Sequence, residues 1–138
     1  MSNVRRLVAR RPKTRRTLEE VLASTSDVLF PAELGEAPVQ IDSVDCDGDT
    51  PLHVMVWRND LHGVQTLIEA GADVNAMGDM SETPLHVAIG QENVAIIEAL
   101  LIAKARTDIR SEFDETASER ALKKGGEIAE LLRRVGGA

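Results

Sequence analysis

Three histidines, one cysteine and a run of aspartates are the side chains in this 138-residue chain best suited to metal or acid–base chemistry. His53 and His86 stand in two related octets, TPLHVMVW and TPLHVAIG, 33 residues apart; His62 lies between them and Asp45-Cys46-Asp47-Gly48-Asp49 precedes the first. Imidazoles beside carboxylates can hold zinc or move a proton, and the aspartate run has the composition of a calcium loop. One reading is therefore a metal-dependent hydrolase using His53 or His62 with the Asp45 to Asp49 carboxylates. Spacing counts against it. Equivalent positions on packed helices lie about 8–10 Å apart, whereas imidazoles sharing a zinc need nitrogens about 2.0–2.1 Å from the metal. The bidentate glutamate that completes a calcium loop at its twelfth position is absent, since Val56 falls there. The run reads instead as a solvated turn whose carboxylates bond local backbone. His62, near the start of a helix, is expected to be exposed. A single cysteine gives neither a disulfide nor a Cys-x-x-Cys pair, and no phosphate loop, G-x-S-x-G elbow or H-E-x-x-H stands anywhere in the chain. No catalytic residue, metal ligand or cofactor is implied.

The elements that carry these side chains repeat. Thr17, Thr50, Thr83 and Thr116 are spaced by 33 residues each. Between the second and third copies Leu61 matches Val94, Val64 matches Ile97, Leu67 matches Leu100 and Ile68 matches Leu101, all at helical spacing. Thr50 suits an N-cap and Pro51 the first helical turn, so a short helix is expected from Pro51 to Trp57. A second, more apolar helix near Leu61 to Ala70 ends at Gly71, which can take the left-handed conformation. Residues 72–82 then make a hairpin-like loop. Such a unit cannot bury both of its faces alone, so the copies must stack. Composition agrees: 43% of residues are hydrophobic but only 2% aromatic, which implies one domain with a core of Leu, Ile, Val and Ala.

The TPLH tetrapeptides, the GADVNA run of Gly71 to Ala76, the Asp45 to Asp49 lead-in and the period of 33 resemble ankyrin repeats. The resemblance implies an all-α fold, a short ankyrin-repeat solenoid of stacked helix-turn-helix units with protruding hairpin loops. It covers residues 17–138: a degenerate N-terminal cap at 17–44, repeats at 45–76 and 77–109, and a degenerate C-terminal capping repeat at 110–138, where Ala117-Ser118-Glu119 replace Pro-Leu-His. Residues 1–16 are left as a basic leader. By the same resemblance Thr50, Pro51, His53, Gly71, Thr83, Pro84 and His86 are structural, each histidine bonding the backbone of the neighbouring loop. At Lys104 the pattern fails, because lysine stands where Gly71 does. The junction between the second and third units should be the less stable one.

The resemblance also implies a non-catalytic protein–protein interaction module that engages partners through its loop tips and concave face. Carried onto this chain, the candidate partner-binding residues are Asp47, Asp49, Trp57, Arg58, Asp79, Met80, Glu82, Gln91, Glu112 and Phe113. Carboxylates interleaved with Met80, Phe113 and the single tryptophan suit a partner with a basic patch and an apolar pocket, as an inhibitor or immunity-type protein would have. Two readings of Trp57 stand side by side: an interface anchor, or a cover over the first repeat. Self-association through incomplete end repeats is an alternative to the monomer expected.

Charge is divided unevenly. Residues 1–16 carry seven bases and no acid; the other nine bases and all 23 acids give the remainder 9 − 23 = −14. That acidic body would repel nucleic acid. The leader could be an arm lying on the body, an element touching nucleic acid or membrane, or a mitochondrial transit peptide, since it is Arg-rich and acid-free. Val4, Leu7 and Val8 could form one face of a short helix, with Arg5, Arg6, Arg10 and Arg11 opposite, until Pro12 ends it. No run of about 18 apolar residues is present, so no membrane span is expected, and the lone cysteine suits a cytoplasmic, reducing setting.

Overall fold

The computed structural model describes residues 16–34 and 36–135; leader residues 1–15, and the readings made of them, lie outside that part. The helices are α1 (Leu18–Ala23), α2 (Ser26–Leu29), α3 (Pro51–Trp57), α4 (Leu61–Glu69), α5 (Pro84–Gln91), α6 (Val94–Ile102), α7 (Ala117–Lys124) and α8 (Gly126–Val135). Short 3₁₀ turns occupy Pro31–Glu33 and Asp79–Ser81, the latter where the sequence suggested a simple hairpin-like loop. Among the described residues the only β pairing is an isolated bridge between Arg110 and Thr116. The expected all-α repeat solenoid is what forms.

Each odd-numbered helix starts at one of the four threonines. The hydroxyls of Thr17, Thr50, Thr83 and Thr116 accept the backbone N–H three residues on, and the side chain at that third position reaches back to the threonine N–H. In the outer units this reciprocal cap uses Glu20 and Glu119; in the inner units it uses His53 and His86. Both arrangements satisfy amides that a helix start leaves free.

Two layers follow from the stacking. Helix α3 packs on α4 and α5, α5 on α6 and α7, and α7 on α8, while α4, α6 and α8 form the second row. Leu52, Met55, Leu67, Leu85, Ile89, Ile96, Ile97 and Leu100 are fully buried between the rows. Each contributes about 1.5–3 kcal/mol by leaving water. Volume is traded between layers. A Cβ on Gly63 would stand 2.3 Å from Met55 Sδ, so glycine admits the long methionine. One repeat later the equivalent pair is Ala88 and Ile96, with the small residue on the first helix and the large one on the second.

The N-terminal unit departs from the pattern for a local reason. Pro31 falls where Val64 falls in the next repeat, and the residue before it, Phe30, sits at φ −132°, ψ 65°, outside the helical region. Proline disfavours helical geometry in its predecessor and donates no backbone hydrogen bond. Helix α2 therefore stops at Leu29 after four residues.

Candidate functional site

Both ring nitrogens of each inner histidine are engaged by backbone. The Thr50 N–H donates to His53 Nδ1 at 3.1 Å, which leaves the hydrogen on Nε2 to donate to the Glu82 carbonyl oxygen at 2.9 Å. His86 repeats this with the Thr83 N–H at 3.1 Å and the Glu115 carbonyl at 2.9 Å. Each imidazole thus ties a helix start to the lead-in of the next unit. Burial pushes the His53 imidazole below its ordinary pKa, although the Glu82 carbonyl and the nearby Asp49 favour its charged form. His62 is half-buried rather than exposed, with Nε2 3.2 Å from the Arg16 carbonyl oxygen, because the last leader residue folds against it.

The aspartate run serves the backbone. Asp45 accepts the Asp47 N–H at 2.8 Å and the Asp49 N–H at 3.0 Å, and Asp49 accepts the Asp79 N–H of the next unit at 2.9 Å. The three carboxylates lie within 4.8 Å of one another, yet Val56, at the twelfth loop position, is fully buried in α3. Asp49 is 3% exposed, and burial raises its pKa. It is therefore corrected from the partner-contacting set to an internal tie. A Cβ on Gly78 would stand 2.1 Å from its Oδ1, so only glycine fits beside it.

Three loop tips recur with the same geometry. Backbone bonds from Asp45 N to Asp49 O, Gly78 N to Glu82 O and Ser111 N to Glu115 O close them, at 3.0, 2.9 and 3.1 Å. One left-handed position is shared by all three, Gly48 (φ +90°), Ser81 (φ +57°) and Asp114 (φ +59°), and in the middle tip Met80 (φ +57°) is left-handed as well. The residue before the shared position forms the apex, so Asp47, Met80 and Phe113 occupy equivalent exposed places. Neighbouring tips are joined, since the Glu112 N–H donates to the Met80 carbonyl at 2.9 Å. Met80 is 47% and Phe113 63% exposed. Asp79 and Glu112 stand beside them, also exposed.

The other candidate residues divide. Trp57 is 37% exposed at the end of α3, its ring 6.3 Å from that of His53 and one turn along the same helix. Its carbonyl accepts from the Gln91 side chain at 3.0 Å. Arg58 leans on the N-terminal unit, 3.5 Å from Asp27. Glu82 is corrected as Asp49 is. Its side chain is 16% exposed because Arg120 holds it.

Arg120 has no counterpart among the residues singled out from sequence. Its Nη1 donates to Glu82 at 3.1 Å and to the His86 carbonyl at 3.0 Å, and its Nε donates to Glu115 at 2.9 Å. The signal was present: arginine stands where the two preceding first helices carry Val54 and Val87, opposite the glutamates that precede Thr83 and Thr116.

The family model for the ankyrin repeat matches residues 47–79 and 81–112. This is an ankyrin-repeat protein. The crystal structure of EF0377, an ankyrin repeat protein, is 27% identical to it, with a TM-score of 0.67 over 87% of this chain. The present chain spans 63% of that protein's length. No curated protein matches the sequence. Ankyrin repeats generally mediate protein–protein interaction, and the ankyrin geometry here commits both inner histidines to backbone while turning the tip apices outward.

Proposed function

We propose that this ankyrin-repeat chain is a non-catalytic binding module whose tip row grips a partner protein carrying a basic patch beside an apolar recess. The supporting observation is the row of apices: Asp47, Met80 and Phe113 at equivalent outward positions, flanked by Asp79 and Glu112. Apolar side chains ringed by carboxylates combine contact area with charge selectivity. Trp57, on the first-helix face, extends this surface. Masking a basic site on the target, as an inhibitor does, is the role that this chemistry serves.

The test is affinity capture from native lysate with the wild-type chain and with the Trp57→Ala, Met80→Ala, Phe113→Ala triple variant, checking by thermal melting that both are folded. A protein captured by the first and lost by the second carries the reading. Capture of the same set by both would sink it.

A further inference from the structure

We infer that the N-terminal end of the solenoid is a docking surface for the chain's own basic leader, residues 1–15. The capping unit, residues 17–44, holds six acids, Glu19, Glu20, Asp27, Glu33, Glu36 and Asp42, and no Lys or Arg. All six are exposed. The leader segment carries six bases, Arg5, Arg6, Arg10, Arg11, Lys13 and Arg15, and no acid. The two charge sets match in number and oppose in sign.

The structure fixes where the leader begins its path. Arg16 Nη2 bonds both carboxylate oxygens of Asp60, at 2.7 and 2.6 Å, and the Arg16 carbonyl lies 3.2 Å from His62 Nε2. Both contacts hold residue 16 against the start of α4, and Thr17 then caps α1. Fifteen residues extended from that point span at most roughly 50 Å. Glu19 and Glu20 of α1 and Asp27 of α2 are the acids that follow Arg16 most closely in the sequence. At a Debye length of about 10 Å in 0.1 M salt, adjacent opposite charges on this scale attract, while the tethering keeps the local concentration high.

An apolar contact is on offer too. A solenoid end normally presents a polar outer face, yet here Val28, within the α2 helix that Pro31 cuts short, is 40% exposed and Leu34, just after it, is 85% exposed. Val4, Leu7 and Val8 recur at the i, i+3, i+4 spacing that gives one apolar face. That face set on Val28 and Leu34, with the arginines reaching the surrounding carboxylates, supplies the covering that the shortened N-terminal unit lacks.

The experiment uses the full chain with a nitroxide on Ser2→Cys in a Cys46→Ser background, and reads paramagnetic broadening of backbone amide signals. Docking predicts selective broadening at residues 18–34 in low salt. It should disappear in about 0.5 M salt, where screening is strong, and in the Arg5→Glu, Arg6→Glu, Arg10→Glu, Arg11→Glu variant, whose spectrum otherwise stays folded. No selective broadening overturns the proposal and leaves the arm free for a polyanion. Broadening centred on the tips at 45–49, 77–82 and 110–115 also overturns it, as does equal broadening of an isotope-labelled, nitroxide-free chain mixed with an unlabelled, spin-labelled one, because that contact is intermolecular.

Discussion

His53 Nε2 donates to the carbonyl of Glu82, 29 residues further along the chain, at 2.9 Å. The bond crosses a repeat boundary, and its equivalent from His86 to Glu115 crosses the next. A side chain that could have been a catalyst is instead the tie between successive units, and only its neutral form can accept from the Thr50 N–H while donating to Glu82.

The consequence is a pH-dependent stability. The folded pKa of His53 lies below that of the unfolded chain, about 6.5, so between those two values the unfolded state binds more protons. Stability is full above about 6.5 and falls as pH drops toward the folded pKa. Asp49, whose pKa is raised by burial, acts with the opposite sign above its ordinary value and offsets part of the loss at the acidic end. His53→Ala leaves the Thr50 amide and the Glu82 carbonyl without this partner and should lower stability by about 2–4 kcal/mol. Urea unfolding at pH 7 and 5.5 should show a smaller difference between the two pH values in the variant than in the wild type. An equal or larger difference would remove His53 as the cause.

Arg120 is expected to behave as a clamp. Its side chain is 17% exposed and its partners Glu82 and Glu115 are 16% and 14% exposed, so Arg120→Ala leaves two sheltered carboxylates facing each other. The loss should be about 3 kcal/mol. Arg120→Lys should recover only a small part, because an ammonium cannot reproduce the planar fork that meets Glu82, Glu115 and the His86 carbonyl together. Lys123 and Arg120 hold the Glu115 carboxyl below its usual range. That contribution is present above the ordinary glutamate value and is lost as pH falls through the folded pKa. The alanine variant should therefore lose less stability below pH 4.5 than the wild type does. Chemical denaturation placing Arg120→Ala within about 0.5 kcal/mol of wild type would show an ordinary surface residue.

The fold was legible where a residue's requirement is local. Threonine caps, Pro51 and Pro84 in first turns, Gly71 as a helix stop and the helical spacing of Leu61, Val64 and Leu67 each act within a few residues, and the α3 boundaries follow directly from them. What escaped was set by contacts between units. Nothing local says that Asp49 turns inward to the Asp79 amide, or that Glu82 is claimed by a side chain 38 positions on. The candidate surface was therefore drawn too widely at residues whose carboxylates are used inside the stack. It was legible at Met80 and Phe113, because the period places them at tips that the scaffold leaves unfilled.

Lys104 offers a test with two signs. It adopts φ +72°, as its place after α6 requires, and Gly71, one repeat earlier, adopts φ +96° with no atom within 4 Å of the place a Cβ would take. Only the backbone conformation then separates glycine from other residues there. Lys104→Gly should raise stability by about 1 kcal/mol, and Gly71→Ala should lower it by at least as much. The junction that Lys104 weakens also carries ties not evident in the sequence, the Arg120 clamp and the Ser118 N–H to the Thr107 carbonyl at 3.1 Å, so the gain should appear in the melting temperature of the whole domain. Two changes of the same sign would refute the backbone explanation.

Met80 separates binding from folding most cleanly. It stands at φ 57°, ψ 24°, and Ser81 follows at φ 57°, so two consecutive non-glycine residues are left-handed at a tip whose apex side chain is exposed. Such conformations cost of order 1 kcal/mol each and are kept where the surrounding structure enforces them. Asparagine tolerates the left-handed region better than methionine does. Met80→Asn should leave stability unchanged or raise it by up to about 1 kcal/mol, while weakening capture of the partner, because the apolar apex is lost. Thermal melting and capture measured on the same preparation give both numbers. A variant that loses stability while partner capture is retained would assign Met80 to the architecture of the loop instead of to its contact surface.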